Sequence, residues 1–544
     1  MEMKFCLLAI FWTCIRMIQG EVFSSIQRVE TLYEEEGRLA RALKRYAEIS
    51  EKNGTHVGDN ITKFIEYVHK QRSTVTDAGR WVGHPVNVLR LLLRVTDDWE
   101  HVFDEVFCDD CLETYAVTDL RISKKIAGNV VNSWPTKRDI LGAVRGLLRI
   151  WRVYQLDLPQ LFNGTILNEK TDPLSWREML VVAKESITMG MYFDAITWMT
   201  SLLEANGKGE LTLETKFEEK ILRKTLASAY YQAGMPWKAV EVLEKLDPTE
   251  RGSNYKFYKT RTAALPSGTP RDDLRPPKPT DKYQTTYEAL CRGPLKSTKM
   301  QAKLKCFLKK TRILFDMIQA EIVHLKPIIV IYHNIISKSE IEFLRTAGEK
   351  SFTFSKIYSG RGLHVMANTR VSQTAWLKDT DHPTLLRLNR RIAIVTGLDT
   401  TFRDYLSSVE RYQVINYGVS GEYGPHNDHL GKPLWVSNGI PEVAEVTDSG
   451  DRIATWMFYL SSVTAGGATV FPLLKARVPV TEGSAVFWYN TLPNGSANRK
   501  MMHAGCPVLL GSKWVANKWI RQHGQVLKTL CSKTEKANFE IGNI

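Results

Sequence analysis

The sequence predicts a multidomain α+β chain, helical over its first half and closing in a β-rich barrel or sandwich. Three observations carry that expectation. Apolar residues recur at helical spacing from Val29 to Leu148, a proline-rich stretch interrupts the pattern at residues 265–281, and short aromatic and β-branched runs follow from Ile328. At 544 residues the chain is too long for one ordinary core, and about three or four domains are expected.

Composition narrows the class. With 43% hydrophobic and 24% charged residues, Gly 35 and Pro 21, the chain is neither collagen-like nor broadly disordered. A mean hydropathy of -0.24 argues against a polytopic membrane protein. Lys and Arg number 73 against 59 Asp and Glu, a formal charge of +14. The basic residues are scattered among acids with no long run, so they read as a soluble basic surface rather than a nucleic-acid footprint.

Residues 1–20 read as a secretory signal peptide. Lys4 precedes the apolar run Phe5–Trp12, which is too short to span a bilayer, and Gly20 leads into a polar stretch. No membrane span is expected elsewhere, and the mature chain is expected to be soluble in the secretory pathway. Glycosylation sequons at Asn53, Asn60, Asn163 and Asn494 agree with that compartment. Outside the leader stand Cys108, Cys111, Cys291, Cys306, Cys506 and Cys531. In an oxidising lumen these read as structural disulfides, and neighbours in sequence suggest the pairs 108–111, 291–306 and 506–531.

The first helix carries Val29, Leu32, Leu39, Leu43 and Tyr46 at the alternating three-and-four spacing of a coiled-coil seam, with Glu36 as the polar intruder. A partner helix, in this chain or another, is expected to bury the stripe. Two further apolar runs, around Val88–Leu93 and Ile140–Leu148, continue the helical pattern. An internal repeat follows: Ala183, Gly190 and Ala195 recur 44 residues later as Ala227, Gly234 and Ala239. Small residues at that spacing suit antiparallel helices crossing closely, and the pattern resembles the tetratricopeptide motif. A stack of such pairs presents a concave groove. Tyr192, Phe193, Trp198, Tyr230, Tyr231, Tyr255, Phe257 and Tyr258 are candidates to line it for a proline-rich peptide.

Beyond the five prolines of residues 265–281, expected strands are Ile328–Tyr332, Tyr412–Tyr417, Ile453–Leu460, Ala485–Tyr489 and Lys513–Ile520. Among them lies a metal-ligand pattern. His426 and Asp428 alternate, so both side chains reach one side of a strand, and His503 opens a later β segment. Two imidazoles and one carboxylate form the facial triad of non-haem Fe(II) oxygenases. Lys513, ten residues after His503, adds a cation suited to the far carboxylate of a metal-bound co-substrate. The glycines 418, 421 and 424 do not match G-x-G-x-x-G and no βαβ unit surrounds them, so a nucleotide loop is excluded.

The residues around this pattern resemble those of the prolyl 4-hydroxylases, within the Fe(II)/2-oxoglutarate dioxygenases. The resemblance runs through Tyr412–Gly418, Gly421–Asp428, Arg452–Trp456, Ala465–Pro472, Ala485–Asn490 and His503–Val508. Upstream, Gly83–Asn87 and Tyr287–Gly293 resemble the collagen-type prolyl 4-hydroxylase α subunit. The resemblance implies a double-stranded β-helix (jelly-roll) catalytic domain in which His426, Asp428 and His503 bind Fe(II). It implies that Lys513 pairs with the distal carboxylate of 2-oxoglutarate, and that Tyr417, Thr455 and Trp519 help to enclose this co-substrate. The reaction implied is hydroxylation of peptidyl proline at C4 in procollagen-like chains with O2, releasing succinate and CO2, with L-ascorbate as the rescuing reductant.

The same resemblance divides the chain. Residues 21–165 become a helical coiled-coil dimerisation domain and 166–262 a tetratricopeptide-like peptide-binding domain. Residues 263–325 become a linker, 326–531 the catalytic domain and 532–544 a tail. It implies protein disulfide isomerase as the β subunit, self-association to an α2β2 tetramer, and the lumen of the endoplasmic reticulum. The chain departs from the pattern at Ser420 and Asn427, at Arg521 where a histidine is common, and at Thr225 and Ser228 where groove tyrosines are common. Two other readings are a dioxygenase acting on lysine or another secreted proline-rich protein, and a peptide-binding module with a silent barrel.

Overall fold

The computed structural model describes residues 26–107, 114–131, 134–209, 216–266, 282–295, 303–310, 317–355, 357–358, 364–365, 370–430, 449–525, 528, 531–534 and 539. The expected signal peptide, Cys108 and Cys111 lie outside them. Residues 30–281 form one compact unit and residues 282–544 the bulk of a second. No described helix is long and apolar enough to cross a membrane.

The first unit is helical. Its opening helix, Ile26–Lys52, buries Leu32, Leu39 and Leu43 completely. The intruder Glu36 is also fully buried, because Arg94 meets it with a two-pronged ion pair and Trp99 Nε1 donates to Oε1 at 3.2 Å. Arg72 lies 3.5 Å away on the helix Asp59–Ser73. The seam is therefore covered by helices of this same chain, one of the two options left open by the spacing. A buried charge with one partner removed is costly, which explains why so polar a residue persists in the stripe.

The repeat folds as two helix pairs, Trp176–Thr188 with Tyr192–Gly207 and Lys216–Gln232 with Pro236–Glu244, followed by Gly252–Ala263. Each helix packs on the next. Ala183, Ala195, Ala227 and Ala239 are all fully buried. Gly190 and Gly234 adopt φ of +75° and +83°, the left-handed conformation that ends the first helix of each pair. Ser175 and Glu178 cap the first pair reciprocally, Ser175 Oγ accepting from Glu178 N at 3.2 Å and Glu178 Oε2 from Ser175 N at 2.7 Å. Of the eight candidate groove aromatics, Trp198 and Tyr258 belong to the core, while Tyr231 and Phe257 pack edge to face at 5.4 Å with Phe257 exposed.

In the second unit, thirteen strands matter for the site. They are β1 (Cys306–Lys310), β2 (Met317–Leu325), β3 (Ile328–Tyr332), β4 (Thr353–Phe354), β5 (Gln373–Leu377), β6 (Tyr412–Tyr417) and β7 (Tyr423–His426). The rest are β8 (Arg452–Tyr459), β9 (Thr469–Phe471), β10 (Ala476–Val478), β11 (Ala485–Tyr489), β12 (His503–Gly505) and β13 (Lys513–Arg521). Nine form one sheet in the order β1-β2-β3-β11-β8-β13-β6-β5-β4, and four form another, β7-β12-β9-β10. Their pairings are antiparallel, the arrangement of a jelly-roll.

Alternation along the strands separates two cores. Tyr412, Val414, Trp456, Phe458, Trp514 and Ala516 face the helices Lys338–Glu349 and Pro383–Thr396, which supply Leu344, Leu388 and Ile392. Their neighbours Ile415, Tyr417, Met457, Tyr459 and Val515 face the smaller sheet, where Phe471, Val478 and Met501 pack against them. The site lies on this inner face.

Two expectations are corrected. Residues 282–325 are not all linker: they contain the helix Lys282–Arg292 and strands β1 and β2. β2 pairs with β3, and Ile318, Ala320 and Ile322 alternate into the interior. The disulfide pairing 291–306 and 506–531 also fails, since Cys291 is joined to Cys506 across 215 residues while Cys306 and Cys531 are exposed thiols. The helix Lys282–Arg292 packs on β9 and β10, which brings its last turn close to the end of β12. Topology, not proximity in sequence, selects the partner.

Candidate metal centre

β7 and β12 are antiparallel neighbours whose register sets His426 opposite His503. That single pairing explains how residues distant in sequence meet, with ring centroids 4.3 Å apart. Asp428 follows in a bend just past the end of β7. His426 Nε2 stands 3.7 Å from Asp428 Oδ1, and His503 Nε2 stands 3.7 Å from Asp428 Oδ2. All three ligand atoms lie within 4.8 Å of one another, and the two 3.7 Å separations from Asp428 fall inside the roughly 4 Å that donors about 2 Å from one ion can span.

Both imidazoles are oriented from behind. His426 Nδ1 lies 2.8 Å from the Gly424 carbonyl oxygen and His503 Nδ1 lies 3.0 Å from that of Met501. Each carbonyl fixes the proton on Nδ1 and leaves Nε2 as the lone-pair donor. Tyr423 stacks on His426 at 3.5 Å between centroids. Burial, and then the facing His503, push His426 down to about 3. Burial works to raise the Asp428 carboxyl, but His503, His426 and Arg452 outweigh it and hold it at about 2. At neutral pH the set therefore offers neutral His426 and ionised Asp428, the protonation states a divalent metal requires.

Lys513 and Tyr417 form a register pair between β13 and β6. The Lys513 ammonium is buried, with Thr469 Oγ1 at 3.4 Å and the rings of Tyr417 and Tyr459 at 5.4 and 5.8 Å. Burial alone pushes it down to about 7. Among the described residues no carboxylate pairs with it. A Cβ at Gly505 would come 3.8 Å from this nitrogen, and one at Gly467 would come 3.5 Å from Lys513 Cδ. Both glycines therefore border the lysine side chain at van der Waals distance.

Of the residues expected to enclose the co-substrate, Tyr417 lies beside Lys513. Thr455 and Trp519 face each other across β8 and β13 at the other end of those strands. The Thr455 hydroxyl is engaged by the metal carboxylate, at 2.7 Å from Asp428 Oδ2. Arg452 lies over the Trp519 ring at 3.8 Å. It is held by Glu410, which also accepts from Arg521 at 2.9 Å. Sequence reasoning missed Thr469, Tyr459, Glu410 and Asn490. Thr469 and Asn490 lay within quoted motifs, but nothing in their spacing announced which side of the sheet they served.

Residues 25–168 match the family described as prolyl 4-hydroxylase alpha-subunit, N-terminal region, and residues 412–521 match the 2OG-Fe(II) oxygenase superfamily. Human prolyl 4-hydroxylase subunit alpha-3 is 31% identical over 544 residues, covering 95% of each chain. Human prolyl 4-hydroxylase subunit alpha-1 is 32% identical over 539 residues, covering 94% of this chain and 96% of that one. Among solved structures, the 2OG complex of the viral collagen prolyl hydroxylase from Paramecium Bursaria Chlorella virus-1 aligns at 23% identity and a TM-score of 0.27, covering 36% of this chain and 95% of that one. With near-complete coverage by such relatives, the chain belongs to the prolyl 4-hydroxylase alpha-subunit family.

Proposed function

We propose that this chain hydroxylates peptidyl proline at C4 in procollagen-like chains, with His426, Asp428 and His503 as the Fe(II) ligands. The observation that carries the assignment is the pair of histidines opposed in register beside a buried lysine that has no counter-ion among the described residues. The ferrous centre supplies the oxidising chemistry, in which O2 and 2-oxoglutarate yield succinate and CO2 while one oxygen atom enters the proline C–H bond.

The chain's residues bind, orient and shield. Lys513 holds the distal carboxylate of 2-oxoglutarate, assisted by Thr469 and Tyr417. The two backbone carbonyls keep His426 and His503 in the metal-binding tautomer. The aromatic walls of Tyr423, Trp488 and Trp519 keep water out of the pocket.

The same proposal extends to the rest of the molecule. The paired helices of residues 166–262 act as a tetratricopeptide-like site for proline-rich peptide, with Tyr231 and Phe257 as its accessible aromatics. Residues 21–165 serve self-association toward an α2β2 tetramer through surfaces other than the buried seam. Protein disulfide isomerase is the β subunit, L-ascorbate keeps the metal ferrous, and the endoplasmic-reticulum lumen is the compartment. Asn53, Asn60 and Asn163 are exposed, as glycan acceptors must be.

The test is succinate release by the chain co-produced with protein disulfide isomerase, supplied with Fe(II), 2-oxoglutarate and ascorbate. Stimulation by a Pro-Pro-Gly repeat peptide that vanishes in His426→Ala supports the assignment. Turnover indifferent to the peptide moves the substrate elsewhere, and no turnover from a folded, iron-loaded complex overturns the enzyme reading.

A further inference from the structure

Asp428 has two carboxylate oxygens, and the structure treats them differently. Each oxygen stands 3.7 Å from one histidine Nε2, Oδ1 from His426 and Oδ2 from His503, but Oδ2 also accepts the Thr455 hydroxyl, at 2.7 Å. Thr455 is itself approached by Asn490, whose Nδ2 lies 2.8 Å from Thr455 Oγ1. The Asn490 Oδ1 stands farther from that hydroxyl, at 3.2 Å. A threonine hydroxyl has one proton to give, and the shorter contact to an ionised acceptor takes it. The polarity therefore runs one way, from the Asn490 amide to the Thr455 hydroxyl to Asp428 Oδ2.

All three residues are buried, and the chain fixes Asn490 through its backbone as well. Its N–H donates to the Ile453 carbonyl at 2.7 Å and its own carbonyl accepts from Asn498 N at 3.0 Å. These bonds clamp the residue just past β11, across which Thr455 pairs with Trp488. The amide has little freedom to turn away.

We propose that Asn490 and Thr455 are a positioning pair that reserves Oδ2 of Asp428 and so presents Oδ1 as the single metal-binding oxygen. A carboxylate free to rotate could chelate through both oxygens and occupy a coordination position that the co-substrate needs. Asn490 acts only through Thr455, so the two form a series rather than independent supports. This inference rests on the triad being the metal site.

The test is Mn(II) binding to the full chain co-produced with protein disulfide isomerase, followed by electron paramagnetic resonance titration without co-substrate. Thr455→Val is expected to weaken Mn(II) binding by about 10–100-fold, the usual loss when a ligand's hydrogen-bonded support is removed. Thr455→Ser, which keeps the hydroxyl, is expected to stay within about threefold of the parent. Asn490→Leu is expected to weaken binding in the parent and to add nothing in the Thr455→Val background, because its path to the carboxylate is already cut. Additive losses in the double variant, or parent-like binding by Thr455→Val, overturn the proposal. Failure of the parent itself to bind Mn(II) overturns the triad assignment instead. Thermal melts of the metal-free proteins separate loss of binding from loss of fold.

Discussion

Lys513 offers the sharpest test of the co-substrate pocket. Burial has pushed its ammonium from 10.5 to about 7, a bias against the charged form of about 5 kcal/mol. A bound dicarboxylate supplies the missing counter-charge and restores the proton. Binding then draws a proton from solvent wherever the free site is neutral, which is above pH 7. The dissociation constant for 2-oxoglutarate should be flat below that value and rise about tenfold per pH unit above it, until the amine of the complex also titrates. In the free protein the sign is reversed. The unfolded lysine binds more protons between about 7 and 10.5, so the metal-free, ligand-free fold gains stability as pH rises through that window. Lys513→Met keeps the stem and removes the charge. It should weaken 2-oxoglutarate binding by about 100-fold at pH 6.5, as expected for truncating one partner of a buried charge pair, and abolish the pH slope. Isothermal titration of 2-oxoglutarate into the Mn(II)-loaded complex at pH 6.5, 7.5 and 8.5 reads both effects. A dissociation constant independent of pH in the parent, or unchanged in Lys513→Met, refutes the reasoning.

The buried pair of Lys518 and Asp379 should make Lys518→Met destabilising by about 3–5 kcal/mol, since it strands a buried carboxylate; chemical denaturation followed by tryptophan fluorescence measures it. Glu36→Ala leaves Arg94 without its ion pair in the helical unit and should cost about the same, read as a lowered melting temperature of that unit's transition. Burial works to raise the Glu410 carboxyl, but Arg452 and Arg521 outweigh it and keep it low. Its stabilisation is thus present above the unfolded carboxylate value and lost as pH falls through the lower folded one. Arg521→Ala should move acid unfolding to higher pH while leaving 2-oxoglutarate binding within about twofold.

Much of this was legible in the chain because strand alternation and ligand chemistry are local. The strands Ile328–Tyr332, Tyr412–Tyr417 and Ala485–Tyr489 stand where their β-branched and aromatic runs lie. His426 and Asp428 declare themselves by a two-residue interval. The register that sets His426 against His503 is not local, because it follows from how the smaller sheet is ordered. β2 escaped notice although Ile318, Ala320 and Ile322 alternate, since it falls within residues 263–325, which the prolines at their start made read as a linker. The family resemblance implied that Thr455 helps to enclose the co-substrate. The threonine hydroxyl donates to Asp428, a carboxylate that arrives from the bend after β7 and that no local pattern around Thr455 announces.

Two adjacent strands give the pocket a direction. On β8 the inward residues run from Thr455 to Tyr459, and on β13 from Trp519 back to Lys513, with Thr455 opposite Trp519 and Tyr459 opposite Val515. Thr455 touches the metal carboxylate, whereas Tyr459 donates to Thr469, the hydroxyl nearest the Lys513 ammonium. On the proposed assignment one end of each strand serves the metal and the other the carboxylate grip, separated along the backbone by about 13 Å over four residues. Arg521 lies opposite Arg452, beyond Trp519 and at the metal end. It lies eight positions from Lys513, about 26 Å along the strand. Its substitution for the usual histidine consequently bears on Glu410, Arg452 and the Trp519 wall rather than on the grip at Lys513. On that assignment the departure from the family pattern leaves the proposed site for the co-substrate's far end untouched and alters the charge network at the proposed metal end.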